Sequence, residues 1–192
     1  GMRESYDNVW EKFNPPYLPA AWDGESRNSV DVSEYIHSRP DCWCNPDIHP
    51  YPDYYDYARP WFRWNKQIDA NIVVNNIMEA TGGGFSGKLN KIEIESRGKS
   101  GRINRAKVIG TGGQMEILAE LSIRKIFSDS YLPSSCCEFK LEDGKIKIYG
   151  AGWGHGVGMC QMGALNMALA GKDYREILSF YYPYTELKPF FE

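Results

Sequence analysis

The alternation of apolar and polar residues is most regular between residues 136 and 151. In the run CEFKLEDGKIKIYG, Asp143-Gly144 separates two segments in which apolar and charged residues alternate. An Asp-Gly pair in that setting is the strongest short-range signal for a β-hairpin with a two-residue turn. The register that this turn imposes pairs Glu142 with Lys145, Leu141 with Ile146, Phe139 with Ile148, Cys137 with Gly150 and Cys136 with Ala151. Because the apolar members of the central pairs share one face, we expect that face to lie in the core.

Weaker periodicity predicts most of the other elements. Apolar residues spaced three or four apart predict an amphipathic helix over 66–80. Shorter patterns predict strands over 91–98, 103–111 and 114–120, and helices over 5–13, 31–38 and 120–127. The segment 40–60 contains five prolines, so we expect a long ordered loop there.

The C-terminal part of the chain predicts two helices. The segment QMGALNMALAG (161–171) is apolar nearly all round, which is typical of a buried helix. Asp173 and Glu176 form a capping-box pattern at the start of a second helix, which Pro183 ends.

Helices mixed with antiparallel hairpins predict an α+β fold. We expect a mostly antiparallel sheet with several helices, including the buried one at about 161–170. The length of the chain fits a single domain over 1–192.

Six glycines crowd the segment GAGWGHGVGMCQMGA (150–164), and five of them alternate with other residues from 150 to 158. Glycine loses more conformational entropy on folding than any other residue, so this density needs a physical cause. If the segment continued as a strand, these five glycines would lie on one face and expose bare backbone to another chain segment or to an extended ligand such as a sugar strand. The alternative is that the backbone adopts torsion angles closed to other residues.

Cysteine and histidine in the same segment suggest a metal site. The chain has five cysteines, an odd number that cannot pair completely within one chain. His155 and Cys160, together with Cys136 or Cys137, predict a zinc site with three protein ligands and one open position. The alternative is a hydrogen-bonded structural histidine beside a buried thiol.

A second group of possible ligands lies in CWCNPDIHP. Cys42, Cys44 and His49 supply three ligands at most, whereas structural zinc usually takes four from the protein. A thiol packed in a loop is the simpler interpretation, and free thiols, a redox pair and a metal site all remain open.

Charge and composition narrow the classes of partner. The 22 basic and 25 acidic residues give a formal net charge of −3, which argues against nucleic acid or an anionic membrane surface as the main partner. No apolar run approaches the roughly 18 residues of a membrane span. Thirteen tyrosines and six tryptophans suit either an aromatic core or a wet binding surface.

The C-terminal motif carries a resemblance to a known family. The segment YGAGWGHGVGMCQMGALNMALAGKDYREILSFYYPYTEL (149–187) resembles the end of the SpoIID/LytB domain, the family of stage II sporulation protein D and the amidase enhancer LytB. That family ends in a pattern close to G-x-G-W/Y-G-H-G-V-G-M-S/C-Q-x-G-A, followed by a small-residue helix and Y-x-x-I-L-x-x-Y-Y. The segments SRGKSGRINRAKVIGTGG and GMRESYDNVWEKFNPPYL resemble earlier parts of the domain, whereas Pro133 stands where members often carry arginine.

The resemblance implies action on the bacterial cell wall. SpoIID members resemble lytic transglycosylases, which cut glycan strands between N-acetylmuramic acid and N-acetylglucosamine with one carboxyl of raised pKa. LytB-like members are described as enhancers of an amidase, a role without catalysis. In the family the catalytic glutamate lies in an upstream A-L-K-A-Q-A-like helix, and this sequence contains no such segment. We therefore expect the later part of a SpoIID-like domain, without the catalytic residue.

The resemblance also implies site residues and a location. It predicts that the glycan strand contacts Trp153, Gly154, His155, Gly156, Gly158 and Gln161. Some members carry zinc near the histidine loop, which favours the site at His155, although many have serine where Cys160 stands. A cell-wall substrate implies export to the periplasm or cell envelope, with glycan strands, or in the alternative a cell-wall amidase, as partners.

Overall fold

Two three-stranded antiparallel sheets organise the chain, which a computed structural model describes over residues 1–10, 13–24 and 31–189. The strands are β1 (Arg63–Asp69), β2 (Leu89–Arg97), β3 (Ile103–Gly110), β4 (Gly113–Leu118), β5 (Cys137–Glu142) and β6 (Lys145–Ala151). The α-helices in the described part are α1 (Asp7–Trp10), α2 (Val32–His37), α3 (Ala70–Thr81), α4 (Glu120–Ile126), α5 (Gln161–Leu169) and α6 (Tyr174–Tyr181). This arrangement confirms the predicted α+β fold.

The sheets have the orders β1-β6-β5 and β2-β3-β4. In the first, β5 and β6 form the predicted hairpin, with Cys137 opposite Gly150 and Glu142 opposite Lys145. Asp143 and Gly144 both have positive φ, 49° and 74°, as a two-residue hairpin turn requires. The predicted register is therefore confirmed from Glu142–Lys145 to Cys137–Gly150, whereas Cys136 lies beyond the ladder and only accepts a hydrogen bond from the N–H of Ala151 (2.9 Å).

One predicted boundary is wrong. Residues 66–69 belong to β1, which pairs with β6 and places Ile68 opposite Ile146. The helix begins only at Ala70, because the Asp69 side chain accepts a hydrogen bond from the backbone N–H of Asn71 (2.8 Å) and caps the helix. The spacing of apolar residues alone could not separate a strand from a helix that begins at the very next residue.

The other predicted elements are found with small shifts. The predicted strands over 91–98, 103–111 and 114–120 correspond to β2, β3 and β4, and α4 and α6 occupy their predicted segments. Residues 11 and 12 of the predicted helix over 5–13 lie outside the described residues, and α1 covers Asp7–Trp10. The predicted proline-rich loop over 40–60 extends only to residue 52, where a 3₁₀-helix at Asp53–Trp61 follows it.

A single hydrophobic core joins the two sheets. The largest cluster of buried side chains draws on both sheets and on α3 and α4, and includes Val73, Val108, Ile123, Ile146 and Ile148. A smaller cluster lies between α5 and α6, around Met167, Ile177 and Tyr181. The predicted burial of α5 applies to one face of the helix, because Leu169 on the other side is exposed.

In the described part of the chain, no helix has both the length and the apolar character needed to cross a membrane.

Candidate functional site

The glycine segment forms a loop, because β6 ends at Ala151. Gly152, Gly154, Gly156 and Gly158 all have left-handed φ angles, of 75°, 81°, 80° and 80°. The segment is therefore not an extended strand with every glycine on one face. The left-handed region is strongly disfavoured for residues with a Cβ, so the backbone torsions account for the alternating glycines.

Hydrogen bonds hold this loop against distant parts of the chain. The N–H of Gly154 donates to the carbonyl of Pro133 (2.7 Å), and the N–H of Glu4 donates to the carbonyl of Gly156 (2.9 Å). The indole N–H of Trp64 in β1 donates to the carbonyl of Gly152 (2.9 Å). The loop is thus fixed by three separate segments.

A buried polar network supports the loop from beneath. The Nε of Arg102 donates to the carbonyl of Gly154 (3.2 Å), and its Nη1 donates to Ser100 Oγ (3.0 Å). Ser100 Oγ in turn donates to the carboxylate of Glu4 (2.6 Å), and Glu4, Ser100 and Arg102 are all buried. A Cβ at Gly156 would lie 2.4 Å from the Arg102 guanidinium, so the absence of a side chain there allows the close approach.

An open groove of about 630 Å³ lies along the loop. Exposed aromatic rings flank it, with Trp153 67% exposed and Tyr57 and Trp61 also on the surface. The groove is lined by all six residues predicted to contact the ligand, which are Trp153, Gly154, His155, Gly156, Gly158 and Gln161. The exposure of Trp153 excludes its alternative role in core packing, while contact with a glycan stays a prediction.

The imidazole ring of His155 is held in place by two neighbouring residues. Its Nδ1 accepts the backbone N–H of Val157 (3.0 Å), and its ring packs edge-on against Trp10, 4.7 Å between centroids. Burial, followed by the positive charges of Arg102 and Arg124, lowers the pKa of His155. The ring is therefore neutral at pH 7, and because Nδ1 accepts, its proton resides on Nε2, which can donate to a ligand.

Three side chains of metal-ligand type meet on the groove wall. One carboxylate oxygen of Asp23 and the sulfur atoms of Cys44 and Cys160 all lie within 4.8 Å of one another, and all three residues line the groove. Asp23 lies in the N-terminal segment, Cys44 between α2 and the 3₁₀-helix, and Cys160 directly before α5.

The protonation states in this cluster differ. Hydrogen bonds from the Cys160 and Cys42 thiols hold the pKa of Cys44 well below its usual value, whereas its hydrogen bond with Cys44 and burial raise the pKa of Cys160. Burial raises the pKa of Asp23 to about 6. Of the two thiols in the cluster, Cys44 is thus the one that more readily carries negative charge.

Both carboxylate oxygens of Asp23 are engaged. The phenol of Tyr181 donates to Oδ1 (2.5 Å), and the nitrogen of Gly1 donates to Oδ2 (3.0 Å). Asp23 is also the only acidic residue on the groove wall in the part of the chain that the structure describes, and it is 1% exposed. Hydrogen bonds within the protein therefore occupy the Asp23 carboxyl, and little of it is accessible to a ligand in the groove.

The structure does not assemble the predicted zinc ligands. Within the described ranges, Cys160 groups with Asp23 and Cys44, and neither His155 nor Cys136 nor Cys137 belongs to that group. The Cys136 thiol is buried and donates to the Ser100 carbonyl (3.5 Å), and Cys137 belongs to the main core.

The second predicted group is also divided. Cys44 joins the cluster, Cys42 lies beside it with 3.8 Å between the two sulfur atoms, and His49 instead stacks on Trp43, 4.9 Å between centroids. Sequence reasoning missed Asp23, because an isolated aspartate in AWDG carries no signal of its own. Only the tertiary structure brings it to the two cysteines.

The fold and the site define a class of protein: an α+β domain with an aromatic-flanked groove along a loop of alternating left-handed glycines. The chain belongs to the family described as a domain of unknown function, DUF8618, whose model matches residues 4–158.

Two curated proteins are similar to the chain. An uncharacterized protein of Brachyspira hyodysenteriae is 33% identical over 139 residues, covering 72% of this chain and 32% of that protein. The amidase enhancer of Bacillus subtilis is 26% identical over 206 residues, covering 97% of this chain and 28% of that protein. This second similarity supports the resemblance to the amidase enhancer LytB. The chain spans about a third of the length of the curated relatives it matches.

Proposed function

We propose that the groove binds a glycan strand of the bacterial cell wall. The observation that carries the proposal is the geometry of the groove, which runs along the glycine loop and is flanked by the exposed rings of Trp153, Tyr57 and Trp61. Aromatic rings pack against the flat apolar faces of pyranose rings, and their polar edges suit a wet surface. The similarity to an amidase enhancer supports the cell wall as the setting.

Polar groups beside the rings would orient the sugar. His155 offers its Nε2 proton, and Gln161, exposed at the start of α5, offers an amide donor and acceptor. A few fixed polar groups on a mostly apolar groove are the usual means by which a site sets the orientation of a ligand. We place this interaction outside the cytoplasmic membrane, in the periplasm or cell envelope, since the polymer is there.

The role that fits the groove best is binding without cleavage, as in an amidase enhancer of LytB type, with a cell-wall amidase as the partner. In the described residues the groove wall offers one carboxyl, that of Asp23, and it is buried and doubly hydrogen-bonded. The tail motif at 149–187 favours a second candidate, in which this chain is the strand-binding part of a SpoIID-like lytic transglycosylase whose acid lies elsewhere in a longer protein.

Binding of the chain to glycan strands stripped of stem peptides tests the proposal. We expect Trp153→Ala to weaken binding about tenfold, the roughly 1.4 kcal/mol of one aromatic contact, without loss of stability. Tyr174→Ala is the matched control, because Tyr174 is equally exposed but lies outside the groove. Unchanged binding by Trp153→Ala, or an equal loss in the control, contradicts the proposal.

Analysis of the products separates the two roles. We expect no 1,6-anhydro sugar when the chain is incubated with glycan strands, whichever role is correct. In a longer parent protein, anhydro products would support the transglycosylase, and faster release of stem peptides by an added amidase would support the enhancer.

A further inference from the structure

Asp23, Cys44 and Cys160 come from three separate segments, and the backbone fixes two of them together. The N–H of Trp43 donates to the carbonyl of Asp23 (2.7 Å), and the N–H of Asp23 donates to the carbonyl of Gly1 (2.8 Å). Cys160 is held by its position at the start of α5, where its carbonyl accepts the N–H of Ala164 (2.8 Å). The convergence of the three side chains is thus a property of the folded backbone.

The donor set suits a soft divalent cation. Two sulfur atoms and one carboxylate oxygen are typical zinc ligands, whereas calcium and magnesium take oxygen ligands alone. Zinc–ligand bonds of about 2.0–2.3 Å place tetrahedral ligand atoms roughly 3.6–3.8 Å apart. Since the three ligand atoms lie within 4.8 Å of one another, side-chain movements of about 1 Å would close them around an ion.

A second layer of contacts orients the carboxylate, as is usual at metal sites. The buried phenol of Tyr181 donates to Asp23 Oδ1 (2.5 Å). Gly163 in α5 makes this contact possible, because a Cβ there would lie 2.1 Å from the Tyr181 hydroxyl and 2.9 Å from Asp23 Oδ2. The Gly1 nitrogen now donates to Asp23 Oδ2 (3.0 Å) and to Cys44 Sγ (2.7 Å), so a bound cation would take the place of these contacts.

A Cys44–Cys160 disulfide explains less. It would use only the two sulfur atoms, whereas a metal ion would also use the Asp23 carboxylate oxygen that lies within 4.8 Å of both. All five cysteines are free thiols in the structure.

We propose that Asp23, Cys44 and Cys160 bind one zinc ion, with a fourth position open to the groove. The site differs from the one predicted around His155 and Cys136, and it does not depend on what the groove binds. Because all three residues line the groove, water or a polar group of a bound ligand can take the fourth position.

Metal content tests the site directly. The 192-residue chain is reduced with a phosphine, incubated with zinc chloride, freed of excess metal by gel filtration and analysed by mass spectrometry for zinc. We expect about one zinc per chain, and almost none in Cys44→Ser, Cys160→Ser or Asp23→Ala. Cys136→Ala and His155→Gln are the controls, and both should retain the metal.

The absorption spectrum of cobalt(II) bound to the unsubstituted chain tests the site even if a ligand variant fails to fold. With the unsubstituted chain, we expect visible bands of tetrahedral cobalt and a near-ultraviolet charge-transfer band from two thiolates. A chelator should remove these bands and lower the midpoint of thermal unfolding, and zinc should restore the midpoint.

Four results overturn the proposal. The first is that the reduced chain binds no metal, and the second is that folded Cys44→Ser and Cys160→Ser retain zinc. The third is that His155→Gln loses zinc, and the fourth is a cobalt spectrum without a thiolate charge-transfer band. Each of these results is independent of glycan binding, which is measured separately.

Discussion

At the scale of single residues, Gly154 and Gly156 have the same left-handed φ but different surroundings. Alanine at Gly154 meets no atom within 4 Å, so its cost is backbone strain of about 1–2 kcal/mol. Alanine at Gly156 would also displace the Arg102 guanidinium, which is buried and hydrogen-bonded to Ser100. We expect Gly156→Ala to be the more destabilising by about 1–3 kcal/mol in urea unfolding. Equal losses would show that Arg102 moves aside without cost.

His155 gives the stability of the protein a pH dependence of defined sign. Its pKa is lowered in the folded state, so below about 6.5 the unfolded chain binds more protons than the folded one. The contribution of His155 to the free energy of unfolding is therefore complete above about pH 6.5 and declines as the pH falls through the window down to the lowered pKa. Urea unfolding across this range should show the advantage of the unsubstituted chain over His155→Gln shrinking on acidification. An advantage that grows would contradict the assigned direction.

At the scale of elements, α6 depends on its N-terminal cap. The Asp173 side chain accepts the backbone N–H groups of Arg175 (2.8 Å) and Glu176 (2.9 Å), and the Glu176 side chain accepts the N–H of Asp173 (2.9 Å). We expect Asp173→Ala to cost about 1 kcal/mol in thermal or urea unfolding. Asp173→Asn is the control, since asparagine caps helices nearly as well. An asparagine variant as unstable as the alanine variant would argue against the cap.

The helices and strands also show which elements can be predicted from sequence patterns alone. The β5–β6 hairpin was predictable to the residue, because its turn, its alternation and its charge pairs lie within one short segment. The strand β1 was not predictable, because it pairs with β6, which lies far along the chain, and because it leads directly into α3. Pairing between distant segments leaves no local periodic signal to read.

At the scale of the whole molecule, the shared core makes the two sheets one folding unit. Ile123 of α4 is fully buried within the cluster that contains residues of both sheets. We expect Ile123→Ala to lower the free energy of unfolding by about 2–5 kcal/mol, with far-ultraviolet circular dichroism and tryptophan fluorescence reporting one coincident transition. Leu121→Ala, at an exposed position of the same helix, should change stability little. Separate transitions would show that the sheets unfold independently.

The sequence by itself determined the α+β class, the hairpin and its register, the capped C-terminal helix and the segment that lines the groove. The first three features rest on interactions between residues close in the chain, which periodicity and turn residues report, whereas the groove segment was predicted from the resemblance of its motif to a known family. Tertiary structure decided the rest: the left-handed path of the glycine loop, the burial of Cys136 and Cys137, and the meeting of Asp23 with Cys44 and Cys160. Side chains from distant segments meet only when packing of the core fixes their backbones. The sequence around a single aspartate or cysteine therefore does not indicate which residues it will contact in the folded protein.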